Sequence, residues 1–139
     1  MKTAMIFGTF DILHYGHLQL LKQARRHCDH LIAVVARDTT VAKVKGAKPF
    51  HTEKERLELL RNLKLIDMAI LGQSKDMYAM IRKFRPEVIC LGYDQKIFVP
   101  QLKEQIKKNA LQTKIVRLKP YKPTHHKTSR MKAYLDANL

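Results

Sequence analysis

Apolar positions along this chain switch between two periods. Lys2 to Phe7 reads as a short strand. Leu18, Leu20, Leu21 and Ala24 then fall on one helical face, and Leu31 to Ala36 is a continuous β-branched run that predicts a buried strand. Residues 52–63 carry a helix. Thr52 stands at its N-cap with Glu55 three positions on, the capping-box spacing, and Leu57, Leu60 and Leu63 form one stripe. Further strands are expected at Met68 to Leu71, closed by Gly72, at Val88 to Leu91, closed by Gly92, and at Lys114 to Leu118. Helices are expected over 75–84, 98–109 and about 128–136. This alternation predicts an α/β fold: one Rossmann-like, doubly wound sheet of about five parallel strands with helices on both faces. Ligands of such sheets bind at the carboxyl ends of strands, so the chemistry is expected just after residues 7, 36, 91 and 118.

Composition narrows the class. The 139 residues fit a single domain, 1–139, and 45% hydrophobic content suffices for a core without metal or disulfide staples. Cys28 and Cys90 form no CxxC pair. Cys90 lies in the run Val88-Ile89-Cys90-Leu91, which predicts a buried, inert thiol. The apolar run at the N-terminus is too short for a signal peptide, and nothing approaches the ~20 apolar residues of a membrane span. A soluble cytoplasmic protein with no membrane partner is expected. The formal charge of +15 admits two readings, a nucleic-acid surface or a basic cleft for polyphosphates. No RRM, KH, helix-turn-helix or zinc-finger signature accompanies it, so a nucleic-acid-binding module is the lesser alternative.

The segment after the first strand carries the chemistry. It reads Gly8-Thr9-Phe10-Asp11-Ile12-Leu13-His14-Tyr15-Gly16-His17, neither GxGxxG nor a P-loop. A helix starting here presents unpaired N–H groups and a partial positive charge, which suit phosphate. Gly16 removes a side chain where phosphate would approach. His14 and His17, three apart, point to one side of the first turn. Imidazoles donate to phosphate oxygens and carry charge as it develops, and nucleotidyl transfer depends on positioning and charge stabilisation more than on a protein nucleophile.

Gly-Thr-Phe-Asp-x-Leu-His-x-Gly-His resembles the signature of the cytidylyltransferase-like superfamily of nucleotidyltransferases. Its members include glycerol-3-phosphate cytidylyltransferases, phosphopantetheine adenylyltransferases and archaeal-type FAD synthetases. The resemblance spans nearly the full chain. Val35 to Val41, Lys45-Gly46-Ala47-Lys48-Pro49, Leu63 to Gly72 and Leu91-Gly92-Tyr93-Asp94-Gln95 look most like the FAD synthetases, which move AMP from ATP to FMN with a divalent metal. Glycerol-3-phosphate cytidylyltransferases share the first motif and Asp94 but match the middle less well. Some archaeal FAD synthetases carry cysteines near the C-terminus, and this chain has none there.

The resemblance implies a nucleotide site at Gly8, Thr9, Phe10, His14, Tyr15, Gly16 and His17, with both histidines stabilising the transition state at the α-phosphorus. It implies that Asp94 accepts from ribose or base, that Tyr121 adds to the ATP site, and that Thr128 and Ser129 contact phosphate. A lysine after the second strand should reach the phosphates. Lys45 is assigned, with Lys43 and Lys48 equal by spacing. No protein-held metal site is expected, since Mg²⁺ arrives on the NTP and keeps its waters. The expected reaction moves AMP from ATP onto FMN with loss of pyrophosphate. CTP with glycerol 3-phosphate is the alternative, and a sugar-phosphate acceptor comes third. A homodimer is expected by analogy.

Overall fold

The computed structural model describes residues 1–96, 99–120 and 133–137. The elements run β1 (Thr3–Gly8), α1 (Tyr15–Arg25), β2 (His30–Val35), α2 (Asp38–Lys45), α3 (Glu53–Arg61), β3 (Met68–Leu71), α4 (Ala79–Phe84), β4 (Val88–Leu91), α5 (Val99–Lys108) and β5 (Lys114–Arg117). Residues 133–137 are helical and exposed. The strands form one parallel sheet in the order β3-β2-β1-β4-β5. Strand order reverses between β1 and β4, the switch point at which doubly wound sheets bind ligands.

Alternation within each strand feeds two cores. Ala4 and Ile6 of β1, Leu31, Ala33 and Val35 of β2, and Val88 and Cys90 of β4 pack on one face with Leu21, Ala24 and Leu60. Met5, Ile32, Val34, Ile89 and Leu91 pack on the other with Tyr78, Met80, Ile81 and Leu102. The central strands are therefore apolar past their first residues, as a sheet covered on both sides requires. Burial pushes the Cys90 thiol up to about 12, so it stays protonated and inert. Among the described residues no helix is long and apolar enough to cross a membrane.

Helix α3 forms as its capping box predicts. The Thr52 hydroxyl accepts from the Glu55 amide at 3.2 Å, and the Glu55 carboxylate accepts from the Thr52 amide at 2.9 Å. Leu60 is fully buried, and Leu57 and Leu63 pack beside it. Helix α4 starts at Ala79 rather than 75, because the Asp76 carboxylate accepts from the Tyr78 amide at 3.0 Å and holds a turn there.

Helix α2 has no counterpart in the sequence pattern. Thr39, Thr40, Val41 and Val44 are poor helix formers, and Val41 is its one buried residue, so no stripe shows. Its N-cap, Arg37, makes no side-chain cap bond. The carboxylates of α2 and α3 cap each other's starts instead. Glu53 accepts from the Asp38 amide at 2.9 Å, and Asp38 accepts from the Glu53 amide at 3.2 Å. Gly46, at φ 74°, ends α2 in the left-handed conformation that favours glycine.

Candidate active site

The loop from β1 to α1 is tightly wound. Phe10 (φ 54°) and Ile12 (φ 49°) both hold left-handed backbone, which costs a bulky residue about 1–3 kcal/mol. Phe10 is buried, and its ring lies 3.0 Å from where a Cβ on Gly8 would stand. A side chain at position 8 would crowd the Phe10 ring.

His14 caps α1. Its Nδ1 accepts from the Gly16 amide at 3.0 Å, and His17 Nδ1 accepts from the His14 amide at 3.2 Å. The two rings lie 4.0 Å apart between centroids, tilted by 32°. An Nδ1 that accepts a hydrogen bond carries no proton, so both rings are fixed as the tautomer that donates through Nε2. Burial, the neighbouring His14 and Lys45 lower the His17 pKa to about 4, against an opposing pull from Asp11. His17 is therefore a neutral donor at neutral pH. The Gly16 amide is spent on His14 rather than offered to phosphate.

A cleft of about 940 Å³ opens above these rings, at the upper end of the ~300–1,000 Å³ usual for small-molecule sites. It collects Gly8, Thr9, Phe10, His14, Gly16, His17, Lys45 and Asp94 from the expected site. Lys48 lines it as well, and Lys43 does not. Tyr15 is exposed and lies outside the lining. Tyr121, Thr128 and Ser129 fall outside the described residues. The strand ends that contribute are those of β1, β2, β4 and, against expectation, β3 through Gly72, Gln73 and Met77. The described end of β5 does not line the cleft. Its neighbour Lys119 is paired with Gln23 through two hydrogen bonds of 2.9 Å. Arg37, Lys45, Lys48 and Lys96 face Asp11 and Asp94 as the charged lining, a positive balance suited to polyphosphate.

Three residues that sequence reasoning passed over hold the cleft in shape. Arg56 is fully buried. Its guanidinium donates to the carbonyls of Thr9 (2.7 Å), Ala36 (2.8 Å) and His51 (3.1 Å) and to the Asp38 carboxylate (2.7 Å). It thereby ties the ends of β1 and β2 to the loop before α3. Asp11 accepts from the Phe50 amide at 2.7 Å and the His51 amide at 3.0 Å, fastening the lysine-bearing loop to the histidine loop. Gln95 accepts from the Gly92 amide at 2.8 Å and donates to the Phe7 carbonyl at 2.9 Å, joining the ends of β4 and β1. A signal for Arg56 did exist: it shares the helical face of Leu60 and Leu63, an arginine inside an apolar stripe. Among the described residues no group of three or more His, Cys, Asp or Glu could hold a metal ion.

The sequence profile of the cytidylyltransferase-like family matches residues 5–133. An FAD synthase of Aciduliprofundum boonei is 44% identical over 121 residues, covering 87% of this chain and 80% of its own. An FAD synthase of Thermoplasma volcanium is 43% identical over 121 residues, 87% of this chain and 84% of its own. The crystal structure of a Thermoplasma volcanium protein described as a lipopolysaccharide core biosynthesis protein superposes with a TM-score of 0.81 at 43% identity, over 87% of this chain and 98% of that one.

Proposed function

This chain belongs to the cytidylyltransferase-like family, and on that premise we propose that it is an FMN adenylyltransferase, moving AMP from ATP to FMN to give FAD and pyrophosphate. The acceptor is supported by the FAD synthase relatives, whose identity runs through most of the chain. The transfer step is supported by one observation above the others: two stacked imidazoles, each locked by a backbone amide into the Nε2-donating tautomer, at the floor of a basic cleft.

An oxygen of the FMN phosphate attacks the α-phosphorus of ATP, a new P–O bond forms, and the bond to the β-phosphate oxygen breaks as pyrophosphate leaves. His14 and His17 donate through Nε2 to the phosphate oxygens that gain charge, and Lys45 offsets the leaving pyrophosphate. Fixed donors suit this role because they need no reorganisation when the charge appears. Asp94, exposed at the end of β4, is the acceptor proposed for ribose or base. The cation belongs to the substrate in this proposal: Mg²⁺ rides on the triphosphate and keeps its waters. A cytoplasmic location and a homodimer complete the proposal by family analogy.

The test is to incubate the protein with Mg²⁺, FMN and either ATP or CTP, following FAD and pyrophosphate together. FAD from ATP is expected. No FAD, with pyrophosphate released from CTP in the presence of glycerol 3-phosphate, would replace the acceptor and the nucleotide at once.

A further inference from the structure

The cleft extends to both sides of the histidine pair. In the order β3-β2-β1-β4, the ends of β3 and β4 lie three strand spacings apart, about 14 Å, with the histidine loop rising from β1 between them. The two flanks differ in kind. Beyond β4 the lining is polar, with Asp94, Gln95 and Lys96. Beyond β2 and β3 the basic groups of Arg37, Lys45 and Lys48 stand beside two apolar side chains, Val44 and Met77. These two side chains are 44% and 39% exposed, although each faces a cleft rather than open surface. Large apolar groups left wet inside a concavity mark a ligand surface.

We propose that this β2–β3 flank is the acceptor subsite, where Val44 on α2 and Met77 before α4 take the planar apolar ring of FMN and Lys48 supplies charge for its phosphate. The proposal rests on the FMN adenylyltransferase reading and adds to it the residues that select the acceptor. The flank suits a broad flat ring. A three-carbon acceptor such as glycerol 3-phosphate would leave both side chains in water and gain nothing from them. The polar flank beyond β4 remains for ribose and base, so the two substrates approach the histidines from opposite sides.

The experiment uses Met77→Gln and Val44→Thr, which keep length or shape and remove apolar contact. Both positions are partly exposed, so the fold should survive. Each variant is titrated into FMN, with flavin fluorescence as the binding readout, and assayed for FAD formation at varied FMN and varied ATP. The expected result is a loss of FMN affinity and a rise in KM for FMN of about tenfold, with KM for ATP changed less than twofold. A wild-type protein that makes FAD while both variants keep their KM for FMN would overturn the subsite and leave the activity standing. Wild-type binding of FMN that the variants weaken, without any FAD formed, would uphold the subsite and overturn the activity. No FMN binding and no FAD would overturn both.

Discussion

The two walls of the cleft are held in place over very different distances along the chain. On the histidine wall, the hydrogen bonds that seat His14 and His17 close between residues two and three positions apart. On the wall that carries Lys45 and Lys48, the fixing contacts reach 39 and 40 positions to Asp11, and 47 and 20 positions from Arg56 to Thr9 and Ala36. The first wall is a local motif that folds with its own helix start. The second exists only when α3 has docked across the ends of two strands. Damage to it should therefore come from residues that touch no substrate.

The largest effect is expected at Arg56. Arg56→Met removes a buried cation and strands three carbonyls and the Asp38 carboxylate, costing about 3–5 kcal/mol in urea unfolding. An unchanged unfolding midpoint would mean that the lysine wall is held by something else. His17→Ala attacks the other wall. It should lower kcat by about 10²–10³-fold while KM for ATP moves far less, with the circular dichroism of the fold intact. Near-normal turnover in that variant would remove the imidazole pair from the mechanism.

A finer cut separates the lysines. Lys45→Gln should raise KM for ATP roughly tenfold, as loss of one charge-assisted contact does, and Lys43→Gln should change it less than twofold. Equal effects would erase the distinction that the cleft lining draws between them. The last test is of pH. His17 resists protonation down to about 4 in the folded protein, whereas the unfolded chain takes that proton near the ordinary histidine value of 6.5. Between those limits the unfolded state binds more protons, so stability should climb as pH rises from about 4 to 6.5 and add nothing further above it. The part due to His17 should vanish in His17→Asn, measured as urea midpoints across that window. An identical pH slope in both proteins would show that the burial of His17 does not govern it.

Much of this was legible in the chain, and the reason is its period. Strand runs at Lys2 to Phe7, Leu31 to Ala36, Met68 to Leu71 and Val88 to Leu91 are continuous because both faces of the sheet are covered. The α3 capping box is a pattern of neighbours. Helix α2 was not legible, because it has one buried residue and borrows its cap from Glu53. Asp11 stands within the motif, but its role is not legible there, since its partners Phe50 and His51 lie beyond any local window. Arg56 sat in plain view as an arginine on a leucine stripe, yet its four acceptors come from three other segments.

The sequence by itself determined the alternating architecture, the two apolar faces and the paired histidines behind the first strand, because each is written in contacts between residues at most a turn apart. Tertiary structure alone decided which nitrogens donate, that His17 is neutral, that Lys45 and Lys48 rather than Lys43 reach the cleft, and that the end of β3 adds Gly72, Gln73 and Met77 to it. Those outcomes depend on burial and on groups brought together across the ends of four strands, and neither has any period along the chain.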